Sequence, residues 1–153
     1  MALALAHPDR VASLTLCNTP VRLPEEKKDL FVPGEVRKFG VGFWARKTLH
    51  GRIDVHRMAP EWIEWSIAEN DRTPAHIAIA QHAEMSRGDF FPHLGKIKVP
   101  VLAMSGTGSR TAPVEQMNQI REHMPNARVV FFEGYGQGIA FMAPERSEEH
   151  TSE

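Results

Sequence analysis

Three short, mostly apolar runs constrain the fold most: residues 11–17 (VASLTLC), 97–104 (IKVPVLAM) and 127–132 (ARVVFF). Each is bounded by turn formers or helix breakers, among them Pro8, the Asn18-Thr19-Pro20 turn, the Ser105–Gly108 turn and the Pro125-Asn126 pair. Short apolar runs between such breakers read as strands buried on both faces. Segments of helical periodicity lie between them. Buried strands alternating with helices argue for an α/β protein with parallel strands and helices packed on the sheet.

The helical segments are unequal. Residues 113–124 set Val114, Met117, Ile120 and His123 at helical spacing, a simple crossover between the second and third strands. Between the first and second strands the helical character continues much further. It comprises a charged start at 25–30, an aromatic stretch at 35–49 weakened by Gly40 and Gly42, a helix at 60–70 opened by Pro60, and another at 74–86. A crossover needs far less chain, so this stretch reads as an insertion. A last helix is expected to begin near residues 143–145. Residues 2–6 (ALALA) read as the end of a helix stopped by His7-Pro8, with no N-cap or first turn before it. The chain is therefore expected to begin inside an element.

Charge excludes some partners. Eighteen Lys and Arg stand against nineteen Asp and Glu, for a net charge of −1, which gives no reason to expect nucleic acid or an anionic membrane. The lone Cys17 cannot form an internal disulfide and suits a reducing compartment. With no signal-like leader and no span-length apolar run, a cytoplasmic protein is expected.

The stretch 2–11 (ALALAHPDRV) running into 14–19 (LTLCNT) resembles the segment just after the nucleophile elbow of the α/β-hydrolase superfamily. Residues 97–106 (IKVPVLAMSG) resemble the strand that ends near that family's triad acid. Residues 124–134 (MPNARVVFFEG) resemble the strand leading into its catalytic-histidine turn, and 143–145 (APE) its last helix. The resemblance implies a partial α/β-hydrolase fold. Residues 1–20 and 89–145 would be core, 21–88 an inserted helical cap, and 146–153 a non-native tail resembling translated sequencing-adapter DNA, with no continuing helix. A doubly wound nucleotide-binding domain is the competing fold. Against it, Gly106-Thr107-Gly108 lacks a third glycine at the right place, and Gly134, Gly136 and Gly138 have the wrong spacing with no helix expected directly after them.

The family's chemistry needs a serine on a G-x-S-x-G turn, a carboxylate and a histidine, because the hydroxyl attacks only after an oriented imidazole removes its proton. None of Ser13, Ser66, Ser86, Ser105 and Ser109 has glycine two residues away on both sides. The resemblance puts the nucleophile a few residues before Met1, and Ser109 where the acid belongs. Gln137 stands where the histidine belongs, following Gly136. A serine supplies no negative charge, and an amide accepts no proton near neutral pH. No catalytic residue is expected to be intact.

The eight histidines, His7, His50, His56, His76, His82, His93, His123 and His150, all lie outside that turn and read as surface or cap residues. His76 and His82, six apart, do not share a zinc-binding helix face, and no metal set or cofactor is expected. Trp44, Trp62 and Trp65, with Phe43, are the candidates for lining an apolar substrate pocket, against the plainer reading that they pack the cap. Three functional readings follow. The parent is a hydrolase of a small ester, lactone or related carbonyl substrate, or it is a ligand-binding pseudoenzyme of the same fold, or this chain is an inactive structural piece. A small molecule is the expected partner, and the apolar edge of the first strand is expected to promote self-association.

Overall fold

The computed structural model describes residues 1–28 and 31–151. The elements, in order, are α1 (Ala2–Ala6), β1 (Leu14–Cys17), α2 (Glu25–Lys28), α3 (Pro33–Phe39), α4 (Val41–Thr48), α5 (Pro60–Asp71), α6 (Ala75–Arg87), β2 (Val101–Gly106), α7 (Val114–His123), β3 (Ala127–Phe132), α8 (Ile139–Met142) and α9 (Pro144–Thr151). Short 3-10 turns fill several of the connections. They form two compact units, one from Met1–Arg22 with Asp89–Glu153, the other Leu23–Gly88.

The first unit holds the sheet. Its strands are parallel in the order β1-β2-β3, with Leu14 paired to Val101 and Val101 to Ala127 at the start of the register. Alternation sorts the side chains onto two faces. Leu16, Val101 and Ala103 meet Met117, Ile120 and Met124 around α7, together with Ala4 of α1. Met104 and Phe132 face the other way, onto Ile139 and Ala143. The central strand is thus covered on both sides, which explains why it reads as apolar almost throughout. Ala4 also explains how a five-residue helix persists. Its burial, with Met1 and Leu5 packed on the same cluster, supplies the stability that so short a helix lacks alone.

Three sequence expectations change. The second strand begins at Val101 and not at residue 97. The Pro100 nitrogen carries no proton to donate, and the carbonyls of Ile97 and Val99 accept from the Asn126 side chain in place of a strand partner. The expected helix at 35–49 is two helices, α3 and α4, broken at Gly40, whose φ of 86° suits glycine. The polar tail is helical as far as Thr151. Its first turn is anchored by Ser147, buried, with its N–H on Ala143 O and its hydroxyl on Pro144 O, while Arg146 lies over the Phe132 ring. Asp29 and Leu30, the end of the predicted 25–30 helix, and Ser152 and Glu153 lie outside the described residues.

The second unit is helical, with two apolar clusters. Phe31, Val36, Val41 and Ala78 form one, and Ala45, Leu49 and Ile67 the other. At the break after Gly40, the Gly42 N–H donates to Asp71 Oδ1 at 2.8 Å, so the end of α5 caps the start of α4. A carboxylate at a helix N-terminus satisfies an orphan donor and faces the positive end of the dipole. Asp71→Ala is expected to lower stability by about 1 kcal/mol, and Asp71→Asn by less, in urea unfolding. Equal losses in the two variants would remove the capping role.

His82 stacks on Phe31 at 4.3 Å, with 11° between the ring planes. Desolvation holds its imidazole below the usual histidine pKa. The unfolded chain then binds the proton more readily. The contribution of His82 is therefore fully present above about pH 6.5 and is lost as pH falls through the lower folded value. The urea midpoint is expected to drop between pH 7.5 and 5.5, and to drop less in His82→Gln. The same drop in both proteins would remove His82 from the account.

Candidate functional site

Three turns follow the carboxyl ends of the three parallel strands, the end of an open α/β sheet at which ligands bind. After β1 comes Asn18, after β2 the turn Thr107–Ser109, and after β3 the turn Gly134–Gly138. All belong to the first unit.

The second and third turns are bonded to each other. Thr107 N donates to Phe132 O at 3.0 Å, Gly134 N to Thr107 Oγ1 at 3.0 Å, and Gly108 N to Tyr135 O at 2.9 Å. Ser109 and Gln137, far apart in sequence, are thus carried on two turns that touch. Ser109 is 4% exposed. Its N–H donates to Gly106 O at 3.0 Å and its Oγ accepts from Ala112 N at 3.2 Å, which ties the turn to the start of α7. Gln137 is half-buried.

Asn18, which reads in the sequence only as turn punctuation, is the hub. It is 7% exposed and sits at φ 47°, a left-handed conformation that asparagine tolerates better than most residues. Its amide nitrogen donates to Ser105 Oγ at 3.2 Å and to Gly136 O at 3.4 Å. Its Oδ1 accepts from Gly138 N and Ile139 N, both at 3.0 Å. Ser105, with no exposed surface, donates its own proton to Ala112 O at 2.8 Å. One largely buried chain of bonds thus joins the segments that follow all three strands. It also corrects the expectation that no helix directly follows Gly138. α8 begins at Ile139, because Asn18 supplies the acceptor that its first amides need.

Chemically the turns hold no carboxylate–imidazole pair. Burial pushes the nearby Cys17 thiol above its usual pKa, against a smaller opposing pull from a hydrogen bond with the Ala140 backbone, so it is no activated nucleophile. Among the described residues, no group of three or more His, Cys, Asp or Glu side chains is placed to hold a metal ion. No helix among them is long and apolar enough to cross a membrane.

The tryptophans lie in the second unit. Trp44 packs between its two apolar clusters, edge-on to Phe31 at 5.3 Å and under the Arg52 guanidinium at 4.7 Å. It remains half-buried. Trp62 and Trp65 lie 6.3 Å apart on α5, and Trp65 is 58% exposed, with surface left for a ligand.

No protein-family model matches the sequence, and no curated protein is similar to it at a significant level. Solved structures match it closely in shape. The enol-lactonase from Burkholderia xenovorans LB400 superposes with a TM-score of 0.82 at 23% identity, over 99% of this chain and 57% of that one. A hydrolase from Pseudomonas aeruginosa PA01 gives a TM-score of 0.86 at 21% identity, over 98% and 57%. A thermophilic esterase from Thermogutta terrifontis, solved with malate bound, gives 0.83 at 27%, over 99% and 58%. The chain has part of the α/β-hydrolase fold and spans somewhat more than half the length of these proteins.

Proposed function

We propose that these residues are the C-terminal part of a capped hydrolase acting on a small ester, lactone or related carbonyl substrate, and that they are inactive as they stand. In this reading the post-β2 and post-β3 turns present the triad's acid and base positions, occupied by Ser109 and Gln137. The nucleophile comes from chain outside these residues, and the unit Leu23–Gly88 is the cap, whose Trp44, Trp62 and Trp65 are the candidates for apolar substrate contacts. The observation that carries the reading is the hydrogen-bonded contact between the two turns at the carboxyl end of a parallel sheet. It is supported by the likeness to an enol-lactonase and an esterase over nearly the whole chain.

A second reading, a ligand-binding protein that kept the pocket and lost the chemistry, is favoured by one specific observation. Neither a serine hydroxyl nor an amide can replace the carboxylate–imidazole pair. One experiment separates the two. This chain alone, and joined to its upstream reading frame, is assayed on a chromogenic short-chain ester, with and without Ser109→Asp and Gln137→His. The chain alone is expected to give no turnover above buffer. Activity in the joined and restored protein supports the hydrolase, and tight binding without activity supports the second reading.

A further inference from the structure

We propose that Asn18 is the positioning residue for the side chain at position 137. The Gly136 carbonyl belongs to the peptide group before residue 137, and the Gly138 N–H to the peptide group after it. The Asn18 amide donates to the first at 3.4 Å and accepts from the second at 3.0 Å. Both peptide planes that set φ and ψ of residue 137 are therefore gripped by one side chain from the other end of the sequence. That grip fixes where the Cα–Cβ bond of residue 137 points.

The grip is itself immobilised. Every hydrogen-bonding valence of the amide is used, two protons on Ser105 Oγ and Gly136 O and two lone pairs on Gly138 N and Ile139 N. The Asn18 backbone N–H donates to Met104 O at 2.8 Å, which ties the residue to the central strand. Few side chains meet the demand. The site needs a donor and an acceptor at one short reach, on a backbone with positive φ. Aspartate keeps the acceptor and loses the donor, alanine loses both, and glutamine is one methylene too long.

The functional meaning of this grip rests on reading residue 137 as the base position, but the grip can be tested without that reading. In the 15N-labelled chain, Asn18→Ala is expected to speed amide exchange at Gly138 and Ile139 by about tenfold, with the β2–β3 amides unchanged. The order parameter of the Gln137 amide is expected to fall from about 0.85 to below about 0.6. Asn18→Asp is expected to keep protection at Gly138 and Ile139 within about twofold, since a carboxylate still accepts, while Gln137 loosens because nothing donates to the Gly136 carbonyl.

Unchanged protection at Gly138 and Ile139 in Asn18→Ala overturns the proposal. Should that variant fail to fold, Asn18→Asp decides. Retained protection with a loosened Gln137 supports the grip, and lost protection overturns it. The two readings fail separately. Ester turnover restored at positions 109 and 137, with exchange indifferent to Asn18, sinks the grip alone. The expected exchange pattern without any restored turnover sinks the hydrolase reading alone.

Discussion

On the proposed hydrolase reading, Ser109→Asp combined with Gln137→His, in the chain joined to its upstream reading frame, is expected to raise kcat on a short-chain ester by about 10³–10⁴-fold over the protein without them. Neither change suffices alone. An imidazole at 137 without its carboxylate adopts the wrong tautomer for part of the time, and a carboxylate at 109 without an imidazole moves no proton, so the two effects are far from additive. Stability follows the same logic. Position 109 is 4% exposed, and Ser109 Oγ accepts from Ala112 N–H. A carboxylate there without a cationic partner is a buried charge, so Ser109→Asp by itself is expected to lower the Tm. The imidazole introduced by Gln137→His offers the missing partner from a turn already bonded to this one, and part of the loss should return in the double variant. A double variant no more active than either single one would break the assignment of these positions.

The strands can be read in the sequence because burial on both faces leaves a parallel strand almost no polar positions. Met104 and Ala103 point to opposite faces and both are buried. Their ends are less legible. The apolar run at 97–104 hides the fact that Pro100 lacks an amide proton and that Asn126, from beyond α7, takes up the neighbouring carbonyls. The break at Gly40 is signalled by glycine, yet its sharpness depends on Asp71, which is local only in three dimensions. The helical tail is hidden for a similar reason. Beside the Ser147 bonds it is held by Arg146 over Phe132, a pairing that no periodicity within residues 146–153 discloses.

For the turns the contrast is sharper. Those that carry Ser109 and Gln137 are legible because each follows a strand end at a short offset. Asn18 is not, because Asn-Thr-Pro punctuates turns in any context. Its importance lies in partners at 105, 136, 138 and 139, contacts that local spacing cannot encode. Tryptophan is a further case, because the packing of Trp44 between the two clusters of its unit rests on contacts that aromatic content alone does not disclose.

Gly106→Ala is expected to be the most damaging single change in the sheet, lowering stability by about 3 kcal/mol. A methyl group here would fall inside the van der Waals surface of the Tyr135 and Gly136 carbonyl oxygens and of the Tyr135 carbonyl carbon. These are backbone atoms and cannot step aside by changing rotamer. The turn after β3 must lift off the turn after β2, giving up the Gly108 N to Tyr135 O and Gly134 N to Thr107 Oγ1 bonds together. For a chain of this size that corresponds to a Tm lower by roughly 10 °C. Gly136→Ala, in the opposing turn, is the control. Nothing lies within 4 Å of where its methyl would sit, and its Tm is expected to stay within about 2 °C of the parent. The pair of variants separates close approach from a general intolerance of these turns to side chains. If the two lose stability equally, or if Gly106→Ala melts with the parent, the contact between the turns does not hold the site together, and the pairing of positions 109 and 137 loses its structural basis.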